Sequence, residues 1–359
     1  MKADKVKINK FFRDLGFYFS RKICYPLVSP DVLQVSLTNR CNLRCKSCNA
    51  WKIPRSSDSE LTLAEIREII EEGAEWGIKE IHLLGGEPLL KEDWDEIVLY
   101  AKKSGMFVVI CTNGTLIDQE MVKSIVETKV DLISISLDGA KKETHDFLRG
   151  QSGTYDKILA GINNLNQFDE NIRPKIVLIL TISNKNLFEL KDYIDLAYSL
   201  SAYSIYFTAL VLDNVYLFSQ RKTHDLWIEE KYFKDLDKIF NEIFEYAKSK
   251  GYNLNYPSFK LFPKYFRGKL SKGDWMCFTG LKRFVVTATG DIQMCGEIVA
   301  NYRKTKSLRK IWTSSSAFKR RQFIKNCRNY CLQDCHARPE SSSLLKIIKK
   351  GTKRLINKG

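Results

Sequence analysis

Three cysteines, Cys41, Cys45 and Cys48, lie within eight residues in the stretch CNLRCKSC. Thiolates are common protein ligands of zinc and of iron–sulfur clusters, and both kinds of centre usually take four ligands. No further cysteine or histidine follows at once, and Cys24 lies seventeen residues upstream. Since a structural zinc site fills all four positions with protein ligands, three close cysteines predict a centre that leaves one position for a substrate or cofactor.

Apolar strands and amphipathic helices alternate regularly around this stretch. We predict six strands, which begin at Val32, Ile81, Phe107, Leu132, Lys175 and Ser204 and are separated by helices. Such βα repeats form a parallel sheet with both faces covered, and six repeats fit a partial (β/α)6 barrel of the TIM type. An open doubly wound sheet is the competing fold. In TIM-type folds, chemistry lies at the carboxyl ends of the strands, and the cysteine stretch directly follows the first strand.

The cysteine stretch resembles the cluster motif of the radical S-adenosylmethionine (radical SAM) superfamily. The resemblance implies that Cys41, Cys45 and Cys48 hold a 4Fe–4S cluster whose fourth iron is chelated by SAM. It also implies reductive cleavage of SAM to a 5′-deoxyadenosyl radical, which abstracts a hydrogen atom from an unactivated C–H bond of the substrate. Oxidation, crosslinking, epimerisation or carbon–carbon bond formation could follow, and the sequence does not select among them. The expected partner is a reductant such as flavodoxin or ferredoxin.

Short motifs at the ends of later strands add to this resemblance. The family's GGEP element, whose backbone and Glu meet the amino group of SAM, is matched by Gly85, Gly86, Glu87 and Pro88. Glycine suits a backbone that must approach a ligand closely. By the same resemblance, the SAM pocket is lined by Thr112, Asn113, Ser136, Asp138 and Arg149. GG and NG are ordinary turns on their own, so the order and the strand-end placement of these motifs make the resemblance specific.

The C-terminal part of the chain carries five more cysteines, namely Cys277, Cys295, Cys327, Cys331 and Cys335. The first two, with Gly290 between them, resemble the opening of the SPASM/twitch extension, which binds auxiliary 4Fe–4S clusters. A complete SPASM module has seven cysteines, and five cannot fully ligate two clusters. We therefore expect one auxiliary 4Fe–4S cluster, held by the first two cysteines and two of the last three. Zinc is the alternative for this group.

A few single residues can be assigned provisional roles. Asp213 follows the sixth strand, where substrate approaches a barrel, and is a candidate proton acceptor or substrate clamp, although a polar loop is expected there anyway. Cys111 lies within an apolar strand and Cys24 has no neighbouring cysteine, so we interpret both as structural. We also interpret His82 and His145 as structural.

The 359-residue chain divides into four predicted parts. A basic amphipathic helix occupies residues 1–31, the radical SAM partial barrel 32–250, a small α+β SPASM/twitch-like domain 251–338, and a basic amphipathic tail 339–359. Residues 301–359 carry 17 Lys and Arg against Asp334 and Glu340, so nearly all of the net charge of +16 lies at this end. Such a local field favours an anionic partner, and a solvated tail is the alternative.

Location and substrate are less strongly indicated. The sequence has neither a secretory signal nor an apolar run long enough to cross a membrane, and its grouped cysteines favour the reducing cytoplasm, with peripheral attachment to an anionic membrane through the basic ends. A lipid-linked, sugar or anionic small-molecule substrate agrees with the basic ends. A peptide substrate is the alternative. It is disfavoured because enzymes that modify peptides often carry an N-terminal leader-binding domain, and only 40 residues precede Cys41. A non-catalytic zinc or nucleic-acid-binding protein is a hypothesis of another class, and nucleic acid is disfavoured because zinc-finger spacing with histidines is absent.

Overall fold

Nine strands form one mixed sheet in the part of the chain that this computed structural model describes, residues 2–52, 59–211, 221–256, 258–271, 273–332, 343–345 and 347–348. The first six strands are β1 (Val32–Ser36), β2 (Glu80–Leu84), β3 (Phe107–Thr112), β4 (Leu132–Ser136), β5 (Lys175–Ile182) and β6 (Ser204–Ala209). They lie parallel and in chain order, and β6 leaves one edge of the sheet open. Because a doubly wound sheet reverses its strand order at a switch point, this sequential order confirms the predicted partial (β/α)6 barrel.

Helices connect and cover these strands. They are α1 (Lys2–Ile23), α2 (Leu63–Glu75), α3 (Trp94–Lys103), α4 (Gln119–Glu127), α5 (Lys142–Arg149), α6 (Thr154–Asn166), α7 (Leu190–Ser199) and α8 (Leu236–Ser249). The start of α2 shows why the sequence forms a helix there. The Thr62 hydroxyl accepts the Glu65 N–H, and the Glu65 carboxylate accepts the Thr62 N–H at 2.9 Å. This capping box satisfies backbone donors that have no partner inside the helix.

Helix α8 begins later than the sequence pattern predicts. The apolar and charged periodicity predicts a helix from about Trp227, whereas α8 begins at Leu236. Trp227 is buried and donates its indole Nε1–H to the Phe266 carbonyl at 3.1 Å. Burial of this segment against the next helix fixes its backbone outside the helical path, so tertiary packing overrides local periodicity here.

The C-terminal region extends the same sheet. Strand β7 (Arg283–Val286) pairs in parallel with β1, and β8 (Asp291–Met294) and β9 (Glu297–Asn301) continue it antiparallel. The remaining helices are α9 (Phe262–Phe266), α10 (Tyr302–Thr305), α11 (Leu308–Trp312) and α12 (Ser315–Lys325). Gly290 adopts φ of 81° in the β7–β8 turn, a conformation that favours glycine. The domain boundaries given above stay a prediction.

The two faces of the barrel sheet have different surroundings. Alternate strand residues such as Leu33, Ile81 and Ile133 are fully buried beneath the helices. The other face, expected to be covered as well, lines a cavity of about 790 Å³. Because successive side chains of a strand point to opposite faces, this cavity receives the more polar half of each strand.

Helix α1 packs on the C-terminal region through one face. Phe17 is fully buried in a small cluster with Phe278 and Leu281. Phe12 and Phe19, which the periodicity places on the apolar face, are instead exposed. Among the described residues, no helix combines the length and apolarity that crossing a membrane requires.

Candidate cluster and cofactor site

The cysteine loop leaves the carboxyl end of β1, and all three of its thiols are partly exposed. Burial raises the pKa of the Cys41 thiol, and the neighbouring charges of Cys45, Glu87 and Cys48 raise it further. These interactions place the three thiols in one neighbourhood. In the described residues, no three His, Cys, Asp or Glu side chains gather as ligands of a single ion. The cysteine ligands of a 4Fe–4S cluster bind separate irons, so they need not converge on one point.

The GGEP element holds the start of this loop by backbone contacts. Gly86 donates its N–H to the Thr38 carbonyl and Glu87 donates its N–H to the Arg40 carbonyl, both at 2.8 Å. A Cβ atom on Gly86 would lie 2.2 Å from the Arg40 oxygen, and one on Gly85 would lie 2.4 Å from the Thr38 oxygen. The two glycines are therefore required here because the loop backbone lies against theirs.

The Glu87 carboxylate links the ends of two strands. It is fully buried and accepts hydrogen bonds from the Thr112 hydroxyl at 2.6 Å, the Asn113 N–H at 2.7 Å and the Leu89 N–H at 3.2 Å. Burial raises the pKa of this carboxyl to about 7, although these donors act in the opposite direction. Pro88 follows at the start of a short 3-10 helix and is buried. The contact between Glu87 and the SAM amino group stays a prediction.

Asn113 joins the end of β3 to the cysteine loop. Its side-chain amide donates to the Asn42 oxygen at 2.8 Å, and the Asn42 amide donates to the Thr115 hydroxyl at 2.8 Å. The sequence analysis did not single out Asn42, although it lies between the first two cysteines of CNLRCKSC. The available signal was its position, because Asn42 is an amide side chain next to Cys41, a predicted cluster ligand.

Asp138 and Arg149 form a largely buried ion pair beside the cysteine loop. Their atoms Oδ2 and Nη2 are 2.9 Å apart, and the Thr181 N–H donates to the other Asp138 oxygen at 2.8 Å. Arg149 Nη1 donates to the Cys45 sulfur at 3.8 Å. Arg149 Nε is buried and has no hydrogen-bond partner among the described residues. A buried guanidinium that still has a donor to offer, next to a thiol, fits an anionic group held at the cysteine loop.

The end of α5 also holds the cysteine loop through backbone contacts. The Lys46 N–H donates to the Leu148 carbonyl at 2.9 Å. Gly150 follows α5 with φ of 70°, and a Cβ atom there would lie 2.2 Å from the Arg44 oxygen. Gly150 therefore meets two demands that only glycine satisfies together, a left-handed backbone and a close contact. The sequence analysis missed it.

His145 contacts the backbone at Asp138, two residues after Ser136 ends β4. The Asp138 N–H donates to His145 Nδ1 at 3.0 Å, and the imidazole is fully buried. Burial, followed by the positive charge of Arg149, lowers the pKa of His145 to about 3, so the ring is neutral. Ser136 ends β4 and is partly exposed.

The cavity on the inner face of the sheet reaches the cysteine loop. Ser47 lines one part of it, and the inner side chains of β1 to β7 line the rest. An ionic network lies on this inner face: Arg283 donates to the Gln34 oxygen and contacts His82 Nδ1, both at 3.2 Å, while His82 Nε2 and Glu80 are 2.5 Å apart. Cys111, expected in the core, lines this cavity instead.

The C-terminal cysteines lie outside the cysteine loop, in the C-terminal region that carries β7 to β9. The Thr279 N–H donates to the Cys277 sulfur at 3.4 Å, and the Asn329 N–H donates to the Cys327 sulfur at 3.3 Å. Burial raises the pKa of the thiols of Cys277 and Cys295. Backbone N–H groups aimed at sulfur are the usual surroundings of cluster ligands, so these residues fit an iron–sulfur group. Two predicted residues, Asp213 and Cys335, lie outside the described residues, as does most of the basic tail.

Comparison with known proteins agrees with this arrangement. Residues 35–197 match the family model of the radical SAM superfamily. The chain is 38% identical over 161 residues to "Fe-coproporphyrin III synthase" of Methanosarcina barkeri, covering 45% of this chain and 39% of that protein. It is 26% identical over 303 residues to "AdoMet-dependent heme synthase" of Oleidesulfovibrio alaskensis, covering 80% and 75%.

A solved structure extends the comparison to the fold of the C-terminal region. Streptococcus suis SuiB, bound to S-adenosylmethionine, superposes with a TM-score of 0.61 at 15% identity, covering 84% of this chain and 67% of that one. At this identity the likeness shows a shared fold. The chain spans about half or less of the length of the first curated relatives that it matches.

Proposed function

The chain belongs to the radical SAM superfamily and carries a SPASM/twitch-like C-terminal region, and on that premise we propose that Cys41, Cys45 and Cys48 hold a 4Fe–4S cluster at which SAM is cleaved. When bound and reduced, such a cluster supplies the electron that cleaves SAM to methionine and a 5′-deoxyadenosyl radical, which takes a hydrogen atom from the substrate. The observation that carries this proposal is the position of Arg149. Its Nη1 donates to the Cys45 sulfur, and its buried Nε has no hydrogen-bond partner among the described residues.

The residues around the loop position these groups. Asn42 and Asn113 tie the loop to β3, while Glu87 fixes the end of β2 against the end of β3. Asp138 holds the guanidinium of Arg149 toward the thiols. Thr112 and Ser136, at the ends of β3 and β4, are proposed to line the SAM pocket with these residues. Fixing a ligand before reaction lowers the entropic part of its barrier.

Reductive cleavage of SAM tests the proposal. Purified under anaerobic conditions and reduced with dithionite, the protein should form 5′-deoxyadenosine from SAM, measured by liquid chromatography. Cys45→Ala should abolish this product because the cluster loses a ligand. Cys111→Ala is the matched control, since Cys111 is also a partly exposed cysteine but lies within β3. Equal product from wild type and Cys45→Ala would refute the proposal.

We further propose an anionic small-molecule substrate, bound in the 790 Å³ cavity that runs from the cysteine loop. Arg283 and Lys282 line this cavity and can pair with carboxylates. Relatives named for synthesis of Fe-coproporphyrin III and heme act on tetrapyrroles, and tetrapyrroles of this kind bear carboxylates. Asp213 remains the candidate proton acceptor, and the C-terminal cysteines are proposed to hold an auxiliary cluster that accepts an electron after abstraction.

Binding of Fe-coproporphyrin III provides a direct test of the substrate class. Titration into the anaerobic protein should perturb the tetrapyrrole absorbance, and Arg283→Met should weaken binding by about tenfold, as the loss of one charge-assisted contact implies. Arg309→Met, at an exposed arginine of α11, is the control. Binding of a peptide in place of the tetrapyrrole would contradict this substrate class.

We also propose that α1 attaches the protein to an anionic membrane surface. Phe12, Phe19 and Ile23 are 62%, 45% and 51% exposed and recur at i, i+7 and i+11, so they share one face of the helix. Lys22 lies on the same helix and is exposed. Basic residues beside exposed aromatic side chains are typical of helices that lie in a membrane interface.

Vesicle sedimentation tests this attachment. The protein should sediment with phosphatidylglycerol vesicles at low salt and remain in solution with phosphatidylcholine vesicles. Phe12→Ser together with Phe19→Ser, or deletion of residues 341–359, should each reduce the bound fraction. Unchanged sedimentation in both variants would refute attachment through the basic ends.

A further inference from the structure

The structure places Cys24, at the end of α1, among the C-terminal cysteines. A small cavity of about 10 Å³ is lined by both Cys24 and Cys277, and a larger one of about 820 Å³ is lined by both Cys24 and Cys327. The two cavities therefore meet at Cys24, between two cysteines that the sequence separates from it by more than 250 residues. In the sequence Cys24 has no neighbouring thiol, and in the fold it lines one cavity with Cys277 and another with Cys327.

The other C-terminal cysteines divide into two neighbourhoods. The charge of Cys295 interacts with Cys277 and with Cys327, so these three thiols lie together. Cys331 instead interacts with Tyr265, whose hydroxyl donates to the Leu210 carbonyl after β6, and the adjacent Leu332 lines the barrel cavity. Cys331 therefore lies toward the barrel, and Cys24 is the thiol that accompanies the group of three.

A buried guanidinium faces this group without a full set of partners. Arg321 is 3% exposed, and it donates from Nε to the Gly280 carbonyl at 2.6 Å and from Nη2 to the Trp312 carbonyl at 2.7 Å. Its Nη1 has no hydrogen-bond partner among the described residues. Arg321 lines the small cavity with Cys24, close enough for the two charges to interact. A buried cation with an unused donor calls for an anion at this place.

A second guanidinium lines the same cavity. Arg21 donates from Nε to the Cys277 carbonyl at 2.9 Å, and its charge acts on the thiols of both Cys277 and Cys24. An iron–sulfur cluster held by four thiolates carries net negative charge, which two arginines would neutralise. Neutral thiols, by contrast, would leave the buried Arg321 and the partly buried Arg21 without an anion at this cavity.

The backbone at two of these cysteines is held in a strained conformation. Cys24 adopts φ of 59° and Cys295 adopts φ of 52°, in the left-handed region that side chains other than glycine and asparagine rarely enter. Such conformations cost on the order of 1 kcal/mol or more each. Lys129, Ser201 and Lys306 adopt them just after helices, as Cys24 does, whereas Cys295 lies in the β8–β9 turn. Ligation of a shared group by both thiols would offset this cost.

We propose that Cys24 is the fourth ligand of the auxiliary cluster, together with Cys277, Cys295 and Cys327, in place of Cys331. This inference rests on the auxiliary cluster put forward under the proposed function. The N-terminal helix then becomes part of the cluster site, and its docking through Phe17 and loading of the cluster depend on each other.

The test isolates the auxiliary cluster in the full-length chain. Cys41, Cys45 and Cys48 are replaced by Ala in a parent variant, which is reconstituted anaerobically with iron and sulfide. The parent should hold about four irons and four sulfides per chain and give an electron paramagnetic resonance signal on reduction. Adding Cys24→Ala should remove this signal and most of the iron, whereas adding Cys331→Ala should leave both unchanged.

Two further measurements separate loss of a ligand from loss of the fold. Far-ultraviolet circular dichroism of the apo-proteins should be the same for parent and both variants. Cys24→Ser, which nearly keeps the side-chain volume, should give an altered or absent signal in a folded chain. Retention of the parent's signal and iron in Cys24→Ala, or their loss in Cys331→Ala, would overturn the assignment. A parent that holds no cluster, or holds zinc without sulfide, would instead refute the auxiliary cluster itself.

Discussion

At the residue scale, most of the polar side chains at the strand ends position other groups. Hydrogen bonds join the side chains of Glu87, Asn113 and Asp138 to neighbouring strands or to the cysteine loop. Arg149 differs from them, because its Nη1 donates to the Cys45 sulfur while its buried Nε has no hydrogen-bond partner among the described residues. These side chains therefore form a frame around three partly exposed cysteines. Substitutions in this frame should affect the site even though the cysteines themselves are unchanged.

His145 provides a test of this frame through pH. Its pKa in the folded chain is lowered to about 3, so the folded state favours the neutral ring and its contribution to stability is lost as pH falls from about 6.5. Between pH 7.5 and pH 5 we predict a loss of about 2 kcal/mol in the free energy of unfolding from this group. Urea unfolding of the apo-protein at the two pH values measures it.

His145→Gln should remove that part of the pH dependence because the titrating ring is gone. His224→Gln is the control, since His224 is 33% exposed in its side chain and lies far along the chain from the cysteine loop. If His145→Gln and wild type lose equal stability on acidification, the ring is not the buried neutral group that the structure shows.

Sequence reasoning at this scale worked where a residue type and a strand end coincided. It identified the cysteines and the polar residues that follow β2, β3 and β4, although their ligand and cofactor roles remain to be measured. It missed Gly150 and Asn42, because their importance depends on which backbone lies opposite them. It also missed the residues that line a cavity with Cys24, since proximity across more than 250 residues has no local pattern.

At the element scale, the cysteine loop is clamped between the GGEP turn and the end of α5. Both clamps rely on glycine, and both act through backbone contact with the loop rather than through side chains. The sequence predicted the strands and most helices because their periodicities are strong. It misplaced the start of α8, where the burial of Trp227 decides the backbone path.

A comparison of Gly150 with Gly153 distinguishes the effect of a close contact from the effect of backbone strain when a side chain is added. Both adopt positive φ, of 70° and 78°, but a Cβ atom on Gly150 would meet the Arg44 oxygen at 2.2 Å while one on Gly153 would meet nothing within 4 Å. Gly153→Ala should cost about 1 kcal/mol of stability through its backbone alone. Gly150→Ala should cost more and should displace the loop, lowering the iron bound at the cysteine trio by at least half.

Iron and sulfide content after anaerobic reconstitution, with thermal unfolding of the same samples, distinguishes the two variants. The comparison is best made in a chain lacking the C-terminal cysteines, so that iron reports on the loop only. Equal iron in Gly150→Ala and Gly153→Ala would show that the α5 clamp does not position the loop.

At the scale of the whole molecule, the barrel and the C-terminal region are coupled. They share one sheet through the β1–β7 pairing. Arg303 also binds both oxygens of Glu65 at 2.7 and 2.9 Å and the carbonyls of Ser59 and Glu60. The hydrogen bond with Arg303 is the main reason that the pKa of Glu65 is lowered to about 2. The contribution of the ionised Glu65 carboxylate to stability is therefore present above pH 4.5 and is lost as pH falls toward 2.

Removing this contact should weaken the whole chain. Arg303→Ala should lower the free energy of unfolding by about 1–3 kcal/mol, because it removes charge-assisted hydrogen bonds that are only partly solvated. Lys304→Ala, at the exposed neighbouring residue, should change it by less than about 0.5 kcal/mol. Urea unfolding at pH 7 measures both, and equal values would show that Arg303 does not couple the two regions.

The most direct test of the proposed chemistry is the response of the N-terminal cluster to SAM. In a full-length chain with Cys277→Ala and Cys327→Ala, the trio alone should bind about four irons and four sulfides. On reduction, we predict an electron paramagnetic resonance spectrum that shifts when SAM is added, because SAM occupies the iron without a cysteine. A chain with no cluster at the trio, or a spectrum that SAM leaves unchanged, would contradict an open iron at Cys41, Cys45 and Cys48.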